Sequence, residues 1–258
     1  ISTGGATVFN SGLIAGGLSA SGVQADAVDF SGGGNTLVLL PGYGFTGNVV
    51  SNSGGTHGGD TLALGGSTNG DFDPGLIGTA FQGFAEYAKL DSGTVTLTGT
   101  TAAVTPWTIT GGALVIDDDA QLGASAGTLT LNGGALETAA NITASRQVAV
   151  GSANGTLNIA AGTVATFSGA IDGSGSLTQE GTGTLNLYGA VNLTGDINVG
   201  TGATMNIGGA VTAAAVNNSG ALVFNPFDTN FTLASTLTGV GTVDVASGTM
   251  RLTGQNTY

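Results

Sequence analysis

Cysteine is absent from this chain, and basic residues are almost absent. The lack of cysteine excludes a disulfide framework and a thiolate metal site. Lys89, Arg146 and Arg251 are the only basic side chains, and the formal net charge is −13. Because phosphate groups are recognised by clusters of Lys and Arg, we expect neither nucleic acid nor an anionic membrane surface as a partner. The acidic excess is typical of a solvated surface that resists aggregation.

Long apolar runs are missing as well. No run reaches the roughly 18 apolar residues that a membrane-spanning helix needs, and no basic segment marks a secretory signal peptide. We therefore expect no membrane insertion of this segment. The chain begins at Ile1 rather than at an initiator Met, and for that reason we interpret it as a piece of a longer protein.

Glycine and alternating apolar residues dominate what is present. Glycine occupies 49 of the 258 positions, and 41% of the residues are hydrophobic. This density of glycine makes long helices costly and supplies the turn conformations that short strands need. Apolar residues that alternate with Thr, Ser and Asn favour strands and distinguish the chain from a low-complexity linker. The composition predicts an all-β fold with almost no helix.

A short pattern recurs, in which Gly precedes and follows two apolar residues separated by one polar residue. The copies are SGTVTLTG (92–99), AGTLTLNG (126–133), NGTLNIAAG (154–162), TGTLNLYG (182–189) and SGTMRLTG (247–254). Each copy fits one strand whose apolar face cannot be buried alone, so the copies must stack into a continuous core. The inward core ladder is predicted to include Val95, Leu97, Leu129, Leu131, Leu185, Leu187, Met250 and Leu252.

The pattern varies along one continuous solenoid, 1–258. Residues 1–64 predict less regular turns, residues 65–90 interrupt the rhythm as a loop or insertion, and residues 91–258 carry regular repeats. The interruption contains FQGFAEYAKL. This segment fits either one to two turns of helix or an aromatic-rich rung of the solenoid, and Gly83 favours the second. With about 20 to 25 residues in each turn, or rung, we expect about 11–12 rungs.

Two segments carry a family resemblance. GSGSLTQEGTGTLNLYG (173–189) and GVGTVDVASGTMRLTGQNTY (239–258) resemble the autotransporter-associated β-strand repeat of bacterial autotransporter passenger domains. A third likeness, formed by GGDTLALGGSTNGDFD (58–73) with TAFQGFAEYAKLDSGTVTLTG (79–99), is to a recurrent passenger stretch that precedes such repeats. The chain departs from the family at Val95, where Trp is frequent, and at Gln179 and Glu180, where Lys is frequent. We expect these departures to change the surface more than the architecture.

This resemblance implies a right-handed, single-stranded parallel β-helix, also called a β-solenoid. It also implies type V secretion: export through the outer membrane of a Gram-negative bacterium by a C-terminal translocator barrel of the parent chain. The segment is then expected at the cell surface or outside the cell. The resemblance does not identify the ligand. The partners we expect are a host surface protein or glycan, or a second copy through self-association between cells.

Catalytic and metal-binding groups are poorly represented. GASAG (123–127) matches the pattern around a nucleophilic serine, but a strand pattern follows Ser125, so we interpret it as a corner of small residues. His57 is the only histidine and lacks the second His or Cys that a transition-metal site needs. Residues 117–119, all Asp, lack the other ligands of calcium loops and are interpreted as a solvated corner. We predict no catalytic residue, no metal site and no cofactor.

Two aromatic interruptions are candidate binding loops. The first contains Phe81, Phe84 and Tyr87, and the second contains Phe227 and Phe231. Exposed rings beside polar residues contact proteins or carbohydrates, whereas rings in such insertions also serve to cover a core. Both interpretations stay open at this stage. Ladders of Asn and Thr along one face are a further means of weak, multivalent pairing between two solenoids.

These observations predict a non-enzymatic β-helical stalk or adhesive segment of an autotransporter adhesin or virulence factor, which mediates or supports cell attachment or autoaggregation. One alternative is that the segment carries a catalytic head, a protease or esterase, located elsewhere in the parent chain. A less favoured alternative is a polysaccharide-active β-helix enzyme. Such an enzyme needs paired carboxylates across a groove, or a basic residue beside calcium-binding acids, and the acidic and basic residues here are sparse and scattered.

Overall fold

Parallel strands of this chain stack on one another as a β-solenoid. A computed structural model describes residues 4–54, 58–225 and 230–258. The expected all-β fold is confirmed, and the stack makes about ten turns. This number is slightly below the expected 11–12 because the turns near the N-terminus are long. Thr7 pairs with Thr36 of the next turn, whereas Ile171 pairs with Val191, only 20 residues further on.

The strands are short and follow one another closely. Up to residue 116 they are β1 (Thr7–Asn10), β2 (Leu13–Ala15), β3 (Val28–Phe30), β4 (Thr36–Leu39), β5 (Gly44–Thr46), β6 (Val49–Ser51), β7 (Thr61–Leu64), β8 (Gly70–Phe72), β9 (Phe81–Gln82), β10 (Glu86–Lys89), β11 (Thr94–Leu97), β12 (Trp107–Ile109) and β13 (Ala113–Ile116). Two short 3-10 helices lie at Pro74–Leu76 and Asp119–Leu122.

The second half of the chain contains the more regular strands. They are β14 (Leu129–Leu131), β15 (Ala135–Thr138), β16 (Ile142–Ala144), β17 (Val148–Val150), β18 (Gly155–Ile159), β19 (Val164–Phe167), β20 (Ile171–Gly173), β21 (Leu177–Glu180), β22 (Thr184–Leu187), β23 (Val191–Leu193), β24 (Ile197–Val199), β25 (Thr204–Ile207), β26 (Val211–Thr212), β27 (Ala215–Asn218), β28 (Ala221–Phe224), β29 (Asn230–Leu233), β30 (Thr236–Gly239), β31 (Thr242–Val245) and β32 (Thr249–Leu252).

Three long sheets enclose the core. The ten-strand face has the order β1-β4-β7-β10-β12-β14-β17-β20-β23-β26, the nine-strand face has the order β30-β27-β24-β21-β18-β15-β13-β11-β8, and the six-strand face has the order β16-β19-β22-β25-β28-β31. Each regular turn places one strand on each face, as β20, β21 and β22 do in succession. Smaller sheets, β2-β5, β3-β6-β9 and β29-β32, occupy the two ends.

Alternation within each strand sends every second side chain into the core. In β22, Leu185 and Leu187 are buried, whereas Asn186 between them is partly exposed. Leu185 lies between Ala165 of the preceding turn and Met205 of the next one. The structure also buries the ladder residues Val95, Leu97, Leu129 and Leu131.

The last turn departs from this pattern. Leu252, predicted to point inward, is 44% exposed, and Met250 is only partly buried. Val245 on the preceding strand is exposed too. The physical reason is that β31 and β32 each pair with a strand on one side only, so no further turn covers their apolar side chains.

Glycine at the corners lets successive turns approach closely. Gly189 follows β22, and a Cβ atom on it would lie 2.0 Å from the carbonyl oxygen of Gly169 in the preceding turn. Gly209, one turn further on, meets the carbonyl oxygen of Gly189 at 2.1 Å in the same way. No side chain fits at these distances. Stacking therefore requires the glycine that ends the TGTLNLYG copy of the repeat.

A buried arginine stabilises an irregular corner between β13 and β14. Arg146 is 1% exposed, and its Nε donates to Oδ1 of Asp119 at 2.6 Å. Its two terminal nitrogens donate to the carbonyl oxygens of Gly127 (2.8 Å), Gly123 (2.8 Å) and Leu122 (3.3 Å). The guanidinium thereby satisfies carbonyl oxygens of this corner that lie outside the strand ladders, and the hydroxyl of Thr105 also donates to the carbonyl oxygen of Leu122 at 2.7 Å.

Replacing Arg146 by Met should destabilise the chain strongly, because it leaves Asp119 and the carbonyl oxygens of Gly123 and Gly127 without their donor. Removal of one partner from a buried ion pair costs about 3–5 kcal/mol. Since Asp119 keeps some solvent exposure, we expect a loss of about 3 kcal/mol in the free energy of unfolding, measured by urea denaturation. Arg251→Met, at an exposed position, is the control and should change stability by less than about 0.5 kcal/mol. Equal losses in the two variants would contradict this role of Arg146.

A charge placed in the core tests which side chains of β22 point inward. Leu187→Asp buries an unpaired carboxylate in the stack, and we expect it to cost about 4 kcal/mol or more and to lower the melting temperature sharply. Thr184→Asp puts the same charge on the outward side of the same strand and should have little effect. Circular dichroism melts of the two variants test the assignment, and a small change in Leu187→Asp would show that the register is wrong.

Candidate functional site

The aromatic residues predicted as binding loops lie inside the protein. Phe81 and Tyr87 are 3% exposed, Phe231 is 7% exposed and Phe84 is 9% exposed. Phe227 lies outside the described residues. The four described rings are thus withdrawn from the surface and do not form an exposed aromatic patch. The structure favours the other interpretation, in which such rings cover the core.

Ring contacts show what the first group does instead. Phe84 packs edge-on against Phe30, with ring centroids 6.2 Å apart, and Tyr87 lies 5.5 Å from Trp107. Gly83 has a φ of +76°, and a Cβ atom on it would lie 2.1 Å from the carbonyl oxygen of Ser51. This residue lets the chain turn tightly between β9 and β10. FQGFAEYAKL is therefore part of an aromatic-rich rung of the solenoid and not a helix.

Of the other candidate residues, Ser125 lies in a turn, and Asp118 and Asp119 stabilise the fold. Ser125 is exposed in a turn that leads into β14, so a strand follows it instead of a helix. Asp118 accepts a hydrogen bond from the backbone N–H of Ala120 at 2.8 Å and caps the 3-10 helix there. Asp119 binds the buried arginine. In the described ranges, no group of three or more His, Cys, Asp or Glu residues is placed to hold a metal ion. His57 lies outside those ranges.

Asp60 is a fully buried carboxylate at the corner before β7. Its Oδ1 accepts two hydrogen bonds from Asn35, through the backbone N and Nδ2, both at 2.9 Å. Its Oδ2 accepts from the hydroxyls of Ser51 (2.8 Å) and Ser53 (2.7 Å). Burial by itself raises the pKa of Asp60, but these hydrogen bonds outweigh burial and hold the pKa below its usual value. The group is therefore a structural anchor that stays ionised, and not an acid ready to release a proton at neutral pH.

The stability of this corner should depend on pH. Because the pKa of Asp60 is lower in the folded state, its contribution is fully present above the unfolded pKa of about 4 and is lost as the pH falls through the folded pKa. Asp60→Asn should lower the free energy of unfolding at neutral pH by about 1–3 kcal/mol and flatten its decline in acid. Urea denaturation at several pH values measures both effects. Asp244→Asn, at an exposed carboxylate, is the control and should follow the parent chain; an Asp60→Asn profile parallel to the parent profile would refute the assignment.

The regular stacking is interrupted at two places. Near the N-terminus β5 pairs with β2 but not with β8, where the nine-strand face begins. Near the C-terminus β26 ends the ten-strand face, and β29 pairs with β32 instead. A cleft lies at each interruption. The first has a volume of about 150 Å³ and is lined by Tyr43, Phe45 and Phe81 among others; the second, of about 380 Å³, lies between Val211 and Phe231.

Outward-facing Asn and Thr side chains form hydrogen-bonded ladders across the turns. On the nine-strand face, Asn198 donates to Thr178 at 3.3 Å and Asn217 donates to Asn198 at 2.8 Å. Thr238 continues this ladder by donating to Asn217 at 2.8 Å. A similar ladder on the six-strand face consists of Thr166, Asn186 and Asn206. Each ladder presents related polar groups at a regular spacing along the solenoid.

Two of the three basic side chains are buried. Lys89 is fully buried and donates from Nζ to the carbonyl oxygens of Leu90 and Asp91. Burial lowers the pKa of Lys89, and the nearby Asp91 opposes this shift. With Arg146 also buried, Arg251 is the one exposed basic side chain in the part of the chain that the structure describes. Acidic side chains therefore dominate the outer surface.

Two departures from the family pattern lie in the core, although we expected the departures to change mainly the surface; for Val95, burial matches its predicted place in the core ladder. Val95 and Gln179 are both buried. Gln179 points inward from β21 and donates from Nε2 to the carbonyl oxygen of Thr204 at 2.9 Å. Only Glu180 faces solvent. The departures at Val95 and Gln179 thus change the core rather than the surface.

Comparison with known proteins agrees with the fold. Over 152 residues, 58% of its length, the chain is 36% identical to the BmaC autotransporter adhesin of Brucella suis biovar 1 (strain 1330). The resemblance to autotransporter passenger domains is confirmed. The match spans only 4% of that adhesin's length. No protein-family model and no solved structure matches this autotransporter-like segment. Among its described residues, none belongs to a helix long and apolar enough to cross a membrane.

Sequence reasoning identified the ladders but missed the cleft beside β5. Asn and Thr at the outward positions of the repeat indicated the ladders directly. The available signal for the cleft was the segment PGYGFTG (41–47), in which two aromatic residues stand between glycines. Pro41 and Gly42 at its start predict only a turn between two strands, and nothing in the segment shows that its two rings stay partly exposed.

Proposed function

We propose that this segment is a non-enzymatic, surface-exposed stalk or adhesive segment of an autotransporter adhesin, which mediates or supports cell attachment or autoaggregation. The observation that carries the proposal is a continuous stack of parallel turns in a chain homologous to part of an adhesin. We place it at the cell surface or outside the cell, after export through the outer membrane of a Gram-negative bacterium.

The stack suits a stalk because each turn adds one strand spacing to its length. About ten turns at about 4.8 Å each give a rod of roughly 50 Å. The core is continuous from turn to turn, and the ladders join the turns on the outside. Such a rod resists bending and holds other parts of the parent chain away from the cell.

The outer surface suits weak contacts repeated along the rod. Each ladder offers Asn and Thr groups at successive turns, and contacts that are weak singly gain strength when many form together. The acidic surface opposes close approach of two copies, so self-association of this kind should strengthen as salt screens the charges. The partner we propose is a host surface protein or glycan, or a second copy on another cell.

Deletion in the full parent protein tests the proposal. Bacteria that display the parent without residues 1–258 should lose a large part of their attachment or autoaggregation at matched surface levels. The control is removal of one regular turn, residues 171–190. Its flanking strands keep their register, because Ile171, Leu177 and Thr184 pair with residues exactly one turn later. This control should keep most of the activity, whereas undiminished activity after the complete deletion would refute the proposal.

A further inference from the structure

The cleft beside β5, here called the Tyr43 cleft, is built from aromatic rings that remain partly exposed. Tyr43 and Phe45 are half-buried, and their ring centroids lie 6.3 Å apart. Phe45 packs edge-on against the buried Phe81 at 5.8 Å. Leu76 and Ala80, from the segment that follows β8, also line the cleft. Phe81, one of the aromatic residues that the sequence predicted as a binding loop, lines this cleft. The two partly exposed rings, Tyr43 and Phe45, belong to the preceding turn.

Two carboxylates stand at the end of β8, and one of them, Asp71, lies beside the Tyr43 ring. Asp71 faces outward from β8 and lines, with Tyr43, a smaller recess of about 30 Å³ next to the cleft. Asp73 follows β8 and is also exposed. Burial and, after it, the charges of Asp71 and Asp73 raise the pKa of Tyr43, which agrees with the position of Asp71 in the recess beside the ring. Arg251, the exposed basic residue of the described chain, is on the last strand, at the far end of the stack from β5.

The shape of the site follows from the interrupted sheet. Since β5 does not pair with β8, the two strands leave a gap on what is elsewhere the nine-strand face. The residues between β8 and β9 form a 3-10 helix at this gap instead of a regular corner. Asp73 caps that helix by accepting a hydrogen bond from Gly75 N at 2.8 Å. The Asp73 carboxylate is thus fixed at the start of the 3-10 helix whose Leu76 lines the cleft.

We propose that the Tyr43 cleft binds the cationic end of an Arg or Lys side chain from a partner protein. Aromatic faces attract cations, and Arg in particular stacks on rings while pairing with carboxylates. The volume of about 150 Å³ fits the end of one side chain and is well below the roughly 300–1,000 Å³ of sites for larger small molecules. The acidic surroundings disfavour anionic ligands. The inference rests on the proposed function only in that the partner is met at the cell surface.

Small probes test the site on the whole 258-residue chain. Acetyl-arginine methylamide is titrated into the protein, and chemical shifts of residues 42–47 and 76–82 are followed by NMR. Acetyl-citrulline methylamide has nearly the same shape without the charge, and acetyl-leucine methylamide is the apolar probe. We expect saturable shifts at these residues with the arginine probe and at least tenfold weaker binding of the two neutral probes. Equal binding of either neutral probe, or shifts that do not saturate and are spread over all acidic residues, would overturn the proposal.

Variants separate the site from general attraction to an acidic protein. Asp71→Asn together with Asp73→Asn should weaken arginine binding at least fivefold, and Asn at position 73 can still cap the helix. Glu180→Gln together with Asp244→Asn removes the same charge at exposed positions remote from the cleft and should leave binding unchanged. Phe45→Leu keeps apolar volume and should also weaken binding. Equal losses in the two double variants would overturn the site. Because these measurements use purified protein, their failure is distinguishable from failure of the cell-attachment experiment.

Discussion

Backbone hydrogen bonds between successive turns are the interaction on which the rest of this structure depends. They fix the register, and register decides which side chains point inward. Leu185 stands between Ala165 and Met205, and a slip by one residue would replace it with a polar neighbour. The same bonds bring Gly189 and Gly209 so close to the preceding turn that a Cβ atom has no room. Core, corners and outer ladders therefore share one spacing.

Hydrogen bonds between turns are hardest to keep at the corners, because backbone groups beyond the end of a strand have no partner in the neighbouring strand. Here polar side chains reach inward to replace them. Lys89, Arg146 and Gln179 each donate to corner or neighbouring carbonyl oxygens while buried. Asp60 does the converse by accepting from Asn35 and from two serines. The surface is acidic because the chain has 16 Asp and Glu against 3 Lys and Arg, and the burial of two of the three basic residues makes it more so.

The repeat predicted the all-β solenoid from residues such as Leu185 and Leu187, since their alternation reports directly which face is buried. The sequence could not reveal that Lys89 and Arg146 are buried, because charged side chains are expected at the surface unless their partners are known. Nor could it place the aromatic rings. Phe84 and Tyr87 look identical in a sequence whether they face solvent or core. The cleft depends on the absence of pairing between β5 and β8, which only the three-dimensional arrangement shows.

The regular and the irregular turns of this segment suit different kinds of contact. The turns from β20 onward repeat every 20 or so residues and expose the same Asn and Thr groups, so any contact they make is repeated and weakly selective. Selective recognition needs a concave place with unlike groups held together. The gap beside β5 supplies one, with aromatic rings in the cleft and the Asp71 carboxylate in the recess next to it. A rod that is uniform over most of its length thus confines selective chemistry to the turns where the stacking is broken.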